Sequence, residues 1–336
     1  MGSAPQPGSG VRASSTVDGD RAAGNRPASD RPVRPFLKWA GGKRQLLPVL
    51  REFYPPEFGA YHEPFLGSGA VFFDLASASR LDRGKVHLTD VNADLIGCWR
   101  RLRDKPEAVI RRLQALATGY ERDPGEHYYR VRNDLFNPAR GRIMNGNGPR
   151  AESYSAALAA MFIYLNRTGY NGLFRLNSSG WFNVPRGNYK NPRICDRVNL
   201  RRVSAMLSGL AATIEHAQFD TVLQTAHAGD FIYFDPPYAP LSATAQFTSY
   251  TADGFSAEDQ RRLQQVVIEL ATRGCGVLLS NSTAPAIAAL YDGNRDAERA
   301  GLRAYTVPAR RAINSDASRR GHVDEYIVTN VAPQTT

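Results

Sequence analysis

The apolar run Phe231–Phe234 is followed at once by the rigid polar segment Asp235-Pro236-Pro237-Tyr238. A short apolar run bounded by such a turn signal predicts a buried strand. Two adjacent prolines cannot continue a central strand, because each lacks an amide hydrogen and fixes its own φ. The strand must therefore stop at the edge of a sheet, with Asp235 and Tyr238 held on an extended turn.

Other short strands are predicted before and after this one. The two nearest the amino terminus are each followed by a turn and an apolar helical stretch, and this strand–helix–strand order implies parallel strands. The chain therefore predicts an α/β fold with an open parallel sheet, which binds ligands beyond the carboxyl ends of its strands. The predicted strands lie at 60–65, 85–90, 231–235, 276–280, 303–307 and 324–330.

Residues 106–212 interrupt the strand pattern with mainly helical periodicity and two polar loops. We therefore expect one catalytic domain, formed by residues 35–105 and 213–332, with an inserted domain over 106–212. Residues 1–34 have no apolar run and are expected to form a disordered tail. The predicted helices lie at 45–53, 70–78, 93–102, 106–118, 126–136, 153–166, 197–210 and 256–272.

The chain has a formal net charge of +10, which suits a polyanionic partner contacted through its phosphates. Its three cysteines, Cys98, Cys195 and Cys275, show no paired spacing, so neither a disulfide framework nor a zinc site is predicted. The six histidines also lack metal-ligand spacing, and we expect no metal. We expect a cytoplasmic protein with no membrane partner.

Two features at the ends of predicted strands indicate ligand binding. Gly67 and Gly69 allow a backbone to approach a ligand closely, but the third glycine of a dinucleotide motif is missing. Asp90 ends the next strand, where a carboxylate can accept hydrogen bonds from both hydroxyls of an adenosyl ribose. Helix capping is an alternative role for Asp90, in competition with Asn92 and Asp94.

Asp235, the Pro236 carbonyl and Tyr238 suit chemistry on an aromatic amine such as adenine N6. Such an amine is a poor nucleophile, because its lone pair is delocalised into the ring. Acceptors on its N–H bonds favour the tetrahedral geometry needed for attack, and Asp235 and Pro236 supply two acceptors. Tyr238 can stack on a base only after the base has left the duplex, so base flipping is implied.

These motifs occur in the order typical of the Dam family (D12 class) of DNA adenine methyltransferases, which the chain resembles from Pro35 to Asn330. The resemblance implies a Rossmann-like methyltransferase sheet with an inserted, mainly helical target-recognition domain. The segments that resemble the family's N-terminal cofactor segment, glycine loop, ribose-binding strand end and catalytic tetrad are 36–43, 63–69, 89–92 and 235–238.

The resemblance implies site-specific methylation of adenine N6 in double-stranded DNA, with S-adenosylmethionine as the methyl donor. Asp235, Pro236 and Tyr238 are the expected catalytic residues. A cognate restriction endonuclease is a candidate partner. The expected cofactor-binding residues are Trp39, Lys43, Glu63, Phe65, Gly67, Gly69, Asp90 and Asp235.

Two parts of the insert are similar to the family's target-recognition segment. Arginine can read guanine, asparagine can read adenine, and an exposed tyrosine can wedge between bases. The alternative is that Asn166 and Asn171 are turn residues while Tyr164 and Tyr170 belong to the core. The similar segments are 164–175 and 182–190, and the expected DNA-binding residues are Tyr170, Asn171, Arg175, Arg186 and Lys190.

Two segments and one residue leave questions open. The loop 137–150 departs from the family pattern and adds three arginines to the insert, so the family's usual GATC target is not assumed. The basic segment 310–320 resembles a family loop near the target base, and either a phosphate contact or a solvated loop fits it. Asn281 follows a buried strand at a position where the family carries a polar residue. The added arginines are Arg140, Arg142 and Arg150.

Other functions are less well supported. A C5-cytosine methyltransferase needs a nucleophilic cysteine, which in that family usually follows proline, and no cysteine here does. An N4-cytosine methyltransferase would use the same amine chemistry and remains open. A DNA-binding reader without catalysis is the rival from another class, and RNA methylation and metal-dependent nuclease activity are weaker alternatives.

Overall fold

A computed structural model describes residues 32–39, 41–144, 149–239, 255–310 and 322–334. Almost all of the expected disordered tail and of the basic segment 310–320 lies outside these residues. Within the described part of the chain, no helix is long and apolar enough to cross a membrane.

Seven strands form one sheet in the order β3-β2-β1-β4-β5-β7-β6. The first five strands in this order are parallel, whereas β7 runs antiparallel to both of its neighbours. The predicted α/β fold is confirmed, but the sheet is mixed rather than wholly parallel. The strands are β1 Tyr61–Glu63, β2 Val86–Asp90, β3 Thr213–His216, β4 Phe231–Phe234, β5 Gly276–Ser282, β6 Arg303–Arg310 and β7 His322–Thr329.

Twelve α-helices are assigned within the described residues. They are α1 Leu47–Leu50, α2 Ala70–Ser77, α3 Ala93–Asp104, α4 Pro106–Arg122, α5 Pro124–Arg130, α6 Asn137–Gly141, α7 Ala156–Thr168, α8 Arg197–Gly209, α9 Val222–Thr225, α10 Ala257–Thr272, α11 Pro285–Tyr291 and α12 Arg295–Arg299. Short 3₁₀ turns accompany them at Lys43–Gln45, Arg51–Phe53, Ala151–Ser153, Tyr170–Gly172 and Phe219–Thr221, and Val131–Phe136 is a π-helix.

Both faces of the sheet are covered, as expected for strands that are apolar throughout. Along β4, Phe231 and Tyr233 pack into one apolar cluster, while Ile232 and Phe234 pack into another on the opposite face. The first cluster also takes in helices of the 106–212 region, and the second contains the buried face of α10. The strand ends are therefore held firmly from both sides.

The sequence patterns miss one strand and do not show that two predicted helices are divided. Strand β3 carries only one buried residue, Ile214, so it has no apolar alternation to reveal it. The helical stretch expected over 45–53 is divided into α1 and two 3₁₀ turns. The helix expected over 126–136 is α5 continued by the π-helix.

Candidate active site

Three carboxyl groups lie at the carboxyl ends of neighbouring parallel strands. Glu63 ends β1, Asp90 ends β2, and Asp235 directly follows β4. Because these three strands are adjacent in the sheet, their ends meet at one edge. The structure thus brings together residues that are far apart in sequence, at the edge where open α/β sheets bind ligands.

Asp235 forms a partly buried ion pair with Lys43. The Lys43 ammonium lies 2.7 Å from Asp235 Oδ1 and also donates to the Gly41 carbonyl at 2.6 Å. The Ser280 hydroxyl, at the end of β5, donates to the same carboxylate oxygen at 3.3 Å. Burial raises the pKa of Asp235 to about 6, with Lys43 opposing the shift and the nearby Glu325 adding to it.

Tyr238 contacts two charged side chains, Glu325 and Lys43. Its hydroxyl donates to Glu325 Oε2 at 2.7 Å, and the Lys43 ammonium lies 4.5 Å from the centre of its ring. A cation at this distance from an aromatic face is attracted by the ring. Lys43 from one predicted motif therefore forms a cluster with Asp235 and Tyr238 from another, while Glu325 was not predicted.

A buried amide pair fixes the backbone between Asp235 and Tyr238. The Gln260 side chain donates to the Pro237 carbonyl at 3.1 Å, and the Asn281 amide nitrogen donates to Gln260 Oε1 at 3.0 Å. Asn281 Oδ1 accepts the backbone N–H of Ser282 at 2.8 Å, so its amide nitrogen must face Gln260. The polar residue Asn281 is thereby connected through Gln260, which sequence reasoning did not single out, to residues 235–238, the expected catalytic turn.

Asp90 binds backbone amides rather than capping a helix. Its two carboxylate oxygens accept the N–H groups of Gly67 at 3.0 Å and Asn92 at 2.9 Å. Asn92, not Asp90, is the N-cap of α3 and accepts the N–H of Leu95. Burial raises the pKa of Asp90 to about 6. The capping alternative for Asp90 is wrong, and the carboxylate joins the glycine loop to the end of β2.

The glycine loop has no room for side chains. Gly67 and Gly69 have φ of +46° and +67°, in the left-handed region that favours glycine. A Cβ on Gly67 would come within 2.9 Å of Trp39 Cδ1, and one on Gly69 within 2.8 Å of the Trp99 ring. The loop therefore lies directly against Trp39, as expected if both contact the same ligand.

Glu63 and Phe65 occupy different environments beside this loop. Glu63 is buried, and its Oε2 accepts the Tyr61 hydroxyl at 2.7 Å and the Phe72 N–H at 3.1 Å. Burial is the largest cause that raises the pKa of Glu63 to about 8. Phe65 stacks on Phe219, with ring centres 5.5 Å apart, and so borders the site from the second apolar cluster.

The expected DNA-binding residues lie on loops of the insert. Tyr170, Arg175 and Lys190 are exposed, and Arg186 is half-buried. Asn171 has a left-handed φ of +52°, which suits a turn. Arg175 Nε donates to Asn183 Oδ1 at 2.8 Å, and a backbone bond from the Asn183 N–H to the Arg175 carbonyl supports this contact.

The alternative predictions, that tyrosines of this segment belong to the core and asparagines to turns, have different outcomes at different residues. Tyr164 is a core residue, because it is buried and its hydroxyl lies 2.9 Å from His127 Nδ1. Asn166 is also buried, and its amide bonds both the N–H and the carbonyl of Lys38, which links the insert to the N-terminal segment. Tyr170 is not a core residue, since 43% of its surface is exposed.

Arg140, one of the three arginines that the loop 137–150 adds, is buried and does not belong to an exposed basic surface. Its guanidinium is buried against the Asp94 carboxylate, with Nε 2.8 Å from Oδ2, and it also donates to the Gly180 carbonyl. The positive charge of Arg140 is therefore paired inside the protein, because α6 directs this side chain inward. Arg142 and Arg150 are exposed.

The model of the D12 class N6 adenine-specific DNA methyltransferase family matches residues 39–308, which span the glycine loop, the three carboxyl groups and the catalytic turn. The chain belongs to this family. The predicted resemblance is thus confirmed, and the protein is a DNA adenine methyltransferase with a Rossmann-like sheet. Among the described residues of this D12-class enzyme, no cluster of three or more His, Cys, Asp or Glu side chains could hold a metal.

Several relatives of this D12-class enzyme are similar over nearly their whole length. Type II methyltransferase M1.LlaDCHI of Lactococcus lactis subsp. cremoris is 39% identical over 298 residues, covering 89% of this chain and 95% of its own. Type II methyltransferase M.MjaIII of Methanocaldococcus jannaschii is 38% identical, covering 86% and 95%. The DNA adenine methylase of Escherichia coli K12 is 34% identical, covering 88% and 94%.

Proposed function

We propose that the enzyme methylates N6 of an adenine flipped out of double-stranded DNA, with Asp235, the Pro236 carbonyl and Tyr238 as the catalytic groups. The observation that carries this proposal is the position of Asp235 and Tyr238 together at the strand ends, both in contact with Lys43. A carboxylate, a backbone carbonyl and an aromatic ring are the groups that an extrahelical aminopurine requires.

The methyl donor is S-adenosylmethionine, which supplies an activated sulfonium methyl group when bound. The chemistry of the sheet edge fits this molecule, because carboxyl groups favour a cation and the glycine loop leaves no side chain in the way. We assign Asp90 and the loop of Gly67 and Gly69 to the adenosyl part, beside Trp39 and Phe65. Glu63, Lys43 and Asp235 line the part of the site nearer the catalytic turn.

The protein groups act by orientation and hydrogen bonding rather than by a covalent intermediate. Ionised Asp235 accepts one N–H of the amine, and the Pro236 carbonyl accepts the other, so the N–H bonds bend out of the ring plane and the lone pair becomes less delocalised. Once the methyl group is bound, the nitrogen carries one proton in excess and releases it to solvent. Tyr238 stacks on the base. Lys43 holds Asp235 in its ionised form, which keeps the carboxylate available as an acceptor.

Target recognition belongs to the inserted region 106–212, which we propose to be a DNA-recognition domain. Its exposed Tyr170 suits a wedge between bases, and Asn171 and Arg175 are side chains that read base edges. Arg186 and Lys190 suit phosphate contacts. The backbone bond from Tyr170 N–H to the Pro185 carbonyl, at 2.9 Å, supports a single rigid unit for these residues.

A role in restriction–modification follows from the same proposal. Two of the relatives bear the name type II methyltransferase, which supports a cognate restriction endonuclease as the partner system. The enzyme would act in the cytoplasm, where its DNA substrate lies.

The direct test is to incubate the purified protein with S-adenosylmethionine and unmethylated genomic DNA, and then to sequence the product for N6-methyladenine and its context. One enriched motif is expected. N4-methylcytosine instead would overturn the adenine assignment, and binding of cofactor and DNA without any methylation would indicate a noncatalytic reader. Asp235→Asn should lower turnover by at least about 100-fold while the protein stays folded.

A further inference from the structure

Glu325 lies on β7, close to the catalytic turn. Antiparallel pairing aligns it with Ser282 at the end of β5, two residues beyond Ser280, which bonds Asp235. From this position Glu325 Oε2 accepts the Tyr238 hydroxyl at 2.7 Å. This is the distance typical of an O–H···O bond to a charged acceptor. A side chain from the antiparallel strand β7 therefore reaches the aromatic residue of the site.

The bond restrains Tyr238 at the tip of its side chain. Its backbone is already held on one side, because Gln260 bonds the Pro237 carbonyl, and on the other, because the Ser282 hydroxyl donates to the Ala239 carbonyl at 2.8 Å. Backbone contacts alone leave the two side-chain torsions of a tyrosine free. The bond to Glu325, beside a contact with the Ser280 hydroxyl, fixes the hydroxyl end of the ring.

We propose that Glu325 is a positioning residue that holds the Tyr238 ring in the plane where it stacks on the flipped adenine. The inference rests on the proposed role of Tyr238 in base stacking. In this proposal Glu325 acts on the base only indirectly. Its effect passes through the tyrosine hydroxyl, so removing either end of the bond should have the same consequence.

A merely structural role is the alternative, and the neighbouring residue provides a matched control. Tyr326 also bonds a carboxylate, since its hydroxyl donates to Asp292, but it lies on the opposite face of β7 in the second apolar cluster. Tyr326→Phe removes a bond of the same kind one residue away. It should affect the melting temperature without changing turnover.

The test is a double-mutant cycle on the methylation rate with Glu325→Ala, Tyr238→Phe and the combined variant, measured at pH 8. At this pH Asp235 is ionised in every variant, so the loss of a neighbouring charge does not confuse the result. Each single variant should lower kcat roughly tenfold, as expected for a hydrogen bond to a charged group. The combined variant should be no slower than either single one.

Two further measurements separate positioning from folding. Glu325→Gln keeps an acceptor oxygen for the tyrosine and should restore most of the rate, and the Kd for S-adenosylmethionine should stay unchanged in all variants. Unaltered kcat in Glu325→Ala, or losses that multiply in the combined variant, would overturn the inference alone. A wild-type protein that binds cofactor and DNA but does not methylate would overturn the proposed function as well.

Discussion

In the role that we propose for it, Asp235 accepts a hydrogen bond from the target amine only when it is ionised, and its surroundings set the pH at which that happens. Burial raises its pKa to about 6, while Lys43 partly compensates. A protonated carboxyl would offer its proton where the target amine needs an acceptor. The residue therefore has its catalytic form above pH 6, and this dependence follows from burial that the sequence motif alone could not reveal.

We expect kcat/KM to fall by at least about tenfold for each pH unit below pH 6, because this ratio reports the ionisation of the free enzyme. Asp90 has a similar pKa of about 6 and adds to the fall. The measurement is a pH profile of kcat/KM between pH 5 and 9. A kcat/KM that stays level down to pH 5 would contradict the assignment of Asp235 as the acceptor.

Gln260 illustrates a residue that acts on the site from a distance. Its amide orients the catalytic turn through the Pro237 carbonyl, and Asn281 fixes its direction. Gln260→Leu should lower kcat several-fold, because the turn that carries Asp235 and Tyr238 loses one restraint. Cofactor affinity should not change.

The matched control for Gln260 is Asn330, whose amide bonds the Val277 N–H and the Cys275 carbonyl at the opposite end of β5. Asn330→Leu removes partly buried amide bonds at the start of the same strand, so a loss of melting temperature is expected there too. If both variants lose turnover equally, the effect of Gln260 is one of general stability.

At the scale of elements, sequence patterns predict the parts of the fold where burial is continuous. The strand before Asp235 is apolar at every position, so its end could be predicted to within one residue. Strand β3 is exposed at three of its four positions, and its pairing with β2 depends on contacts that only the folded chain makes. The gathering of Glu63, Asp90 and Asp235 was predictable because parallel strands share one edge, but Glu325 and Gln260 come from elements without a motif.

Arg140 shows why an inserted basic loop is hard to interpret from sequence. It joins α6 to α3 through the buried Asp94, to which the Tyr154 hydroxyl also donates at 3.2 Å. Arg140→Ala leaves that carboxylate buried without its partner and should lower the free energy of unfolding by about 3–5 kcal/mol. The measurement is urea unfolding of the purified variant.

Two controls test whether the loss of stability comes from the buried ion pair. Arg142→Ala should leave stability within about 0.5 kcal/mol of wild type, because the side chain is exposed. The combination Arg140→Met with Asp94→Leu should recover much of the loss, since no charge then remains buried. A small effect of Arg140→Ala would mean that the pair is not maintained in solution.

At the scale of the whole molecule, the net charge is positive, whereas the carboxyl edge of the sheet gathers acidic side chains. The chain carries a formal net charge of +10, which favours a polyanion, yet its sheet edge gathers Glu63, Asp90 and Asp235. Burial raises the pKa of all three, and the largest rise is that of Glu63, to about 8. Between pH 6 and 8.5 the edge becomes more negative while the arginines keep their charge.

This separation predicts a pH-dependent preference between the methyl donor and its demethylated product. S-adenosylmethionine carries a sulfonium charge that S-adenosylhomocysteine lacks, and the rest of the two molecules is the same. As the three carboxyls ionise, the ratio of the Kd of the product to the Kd of the donor should rise by at least roughly tenfold, because a single unit charge about 4 Å away in a partly buried site contributes up to about 4 kcal/mol. Calorimetric titration of both ligands at pH 6 and pH 8.5 measures this ratio. In Glu63→Gln the ratio should change less between the two pH values, because the carboxyl group with the largest rise in pKa is then absent. A ratio that stays constant across this range would mean that the carboxyl edge does not face the sulfonium group, and the cofactor would then have to bind with its charge directed elsewhere.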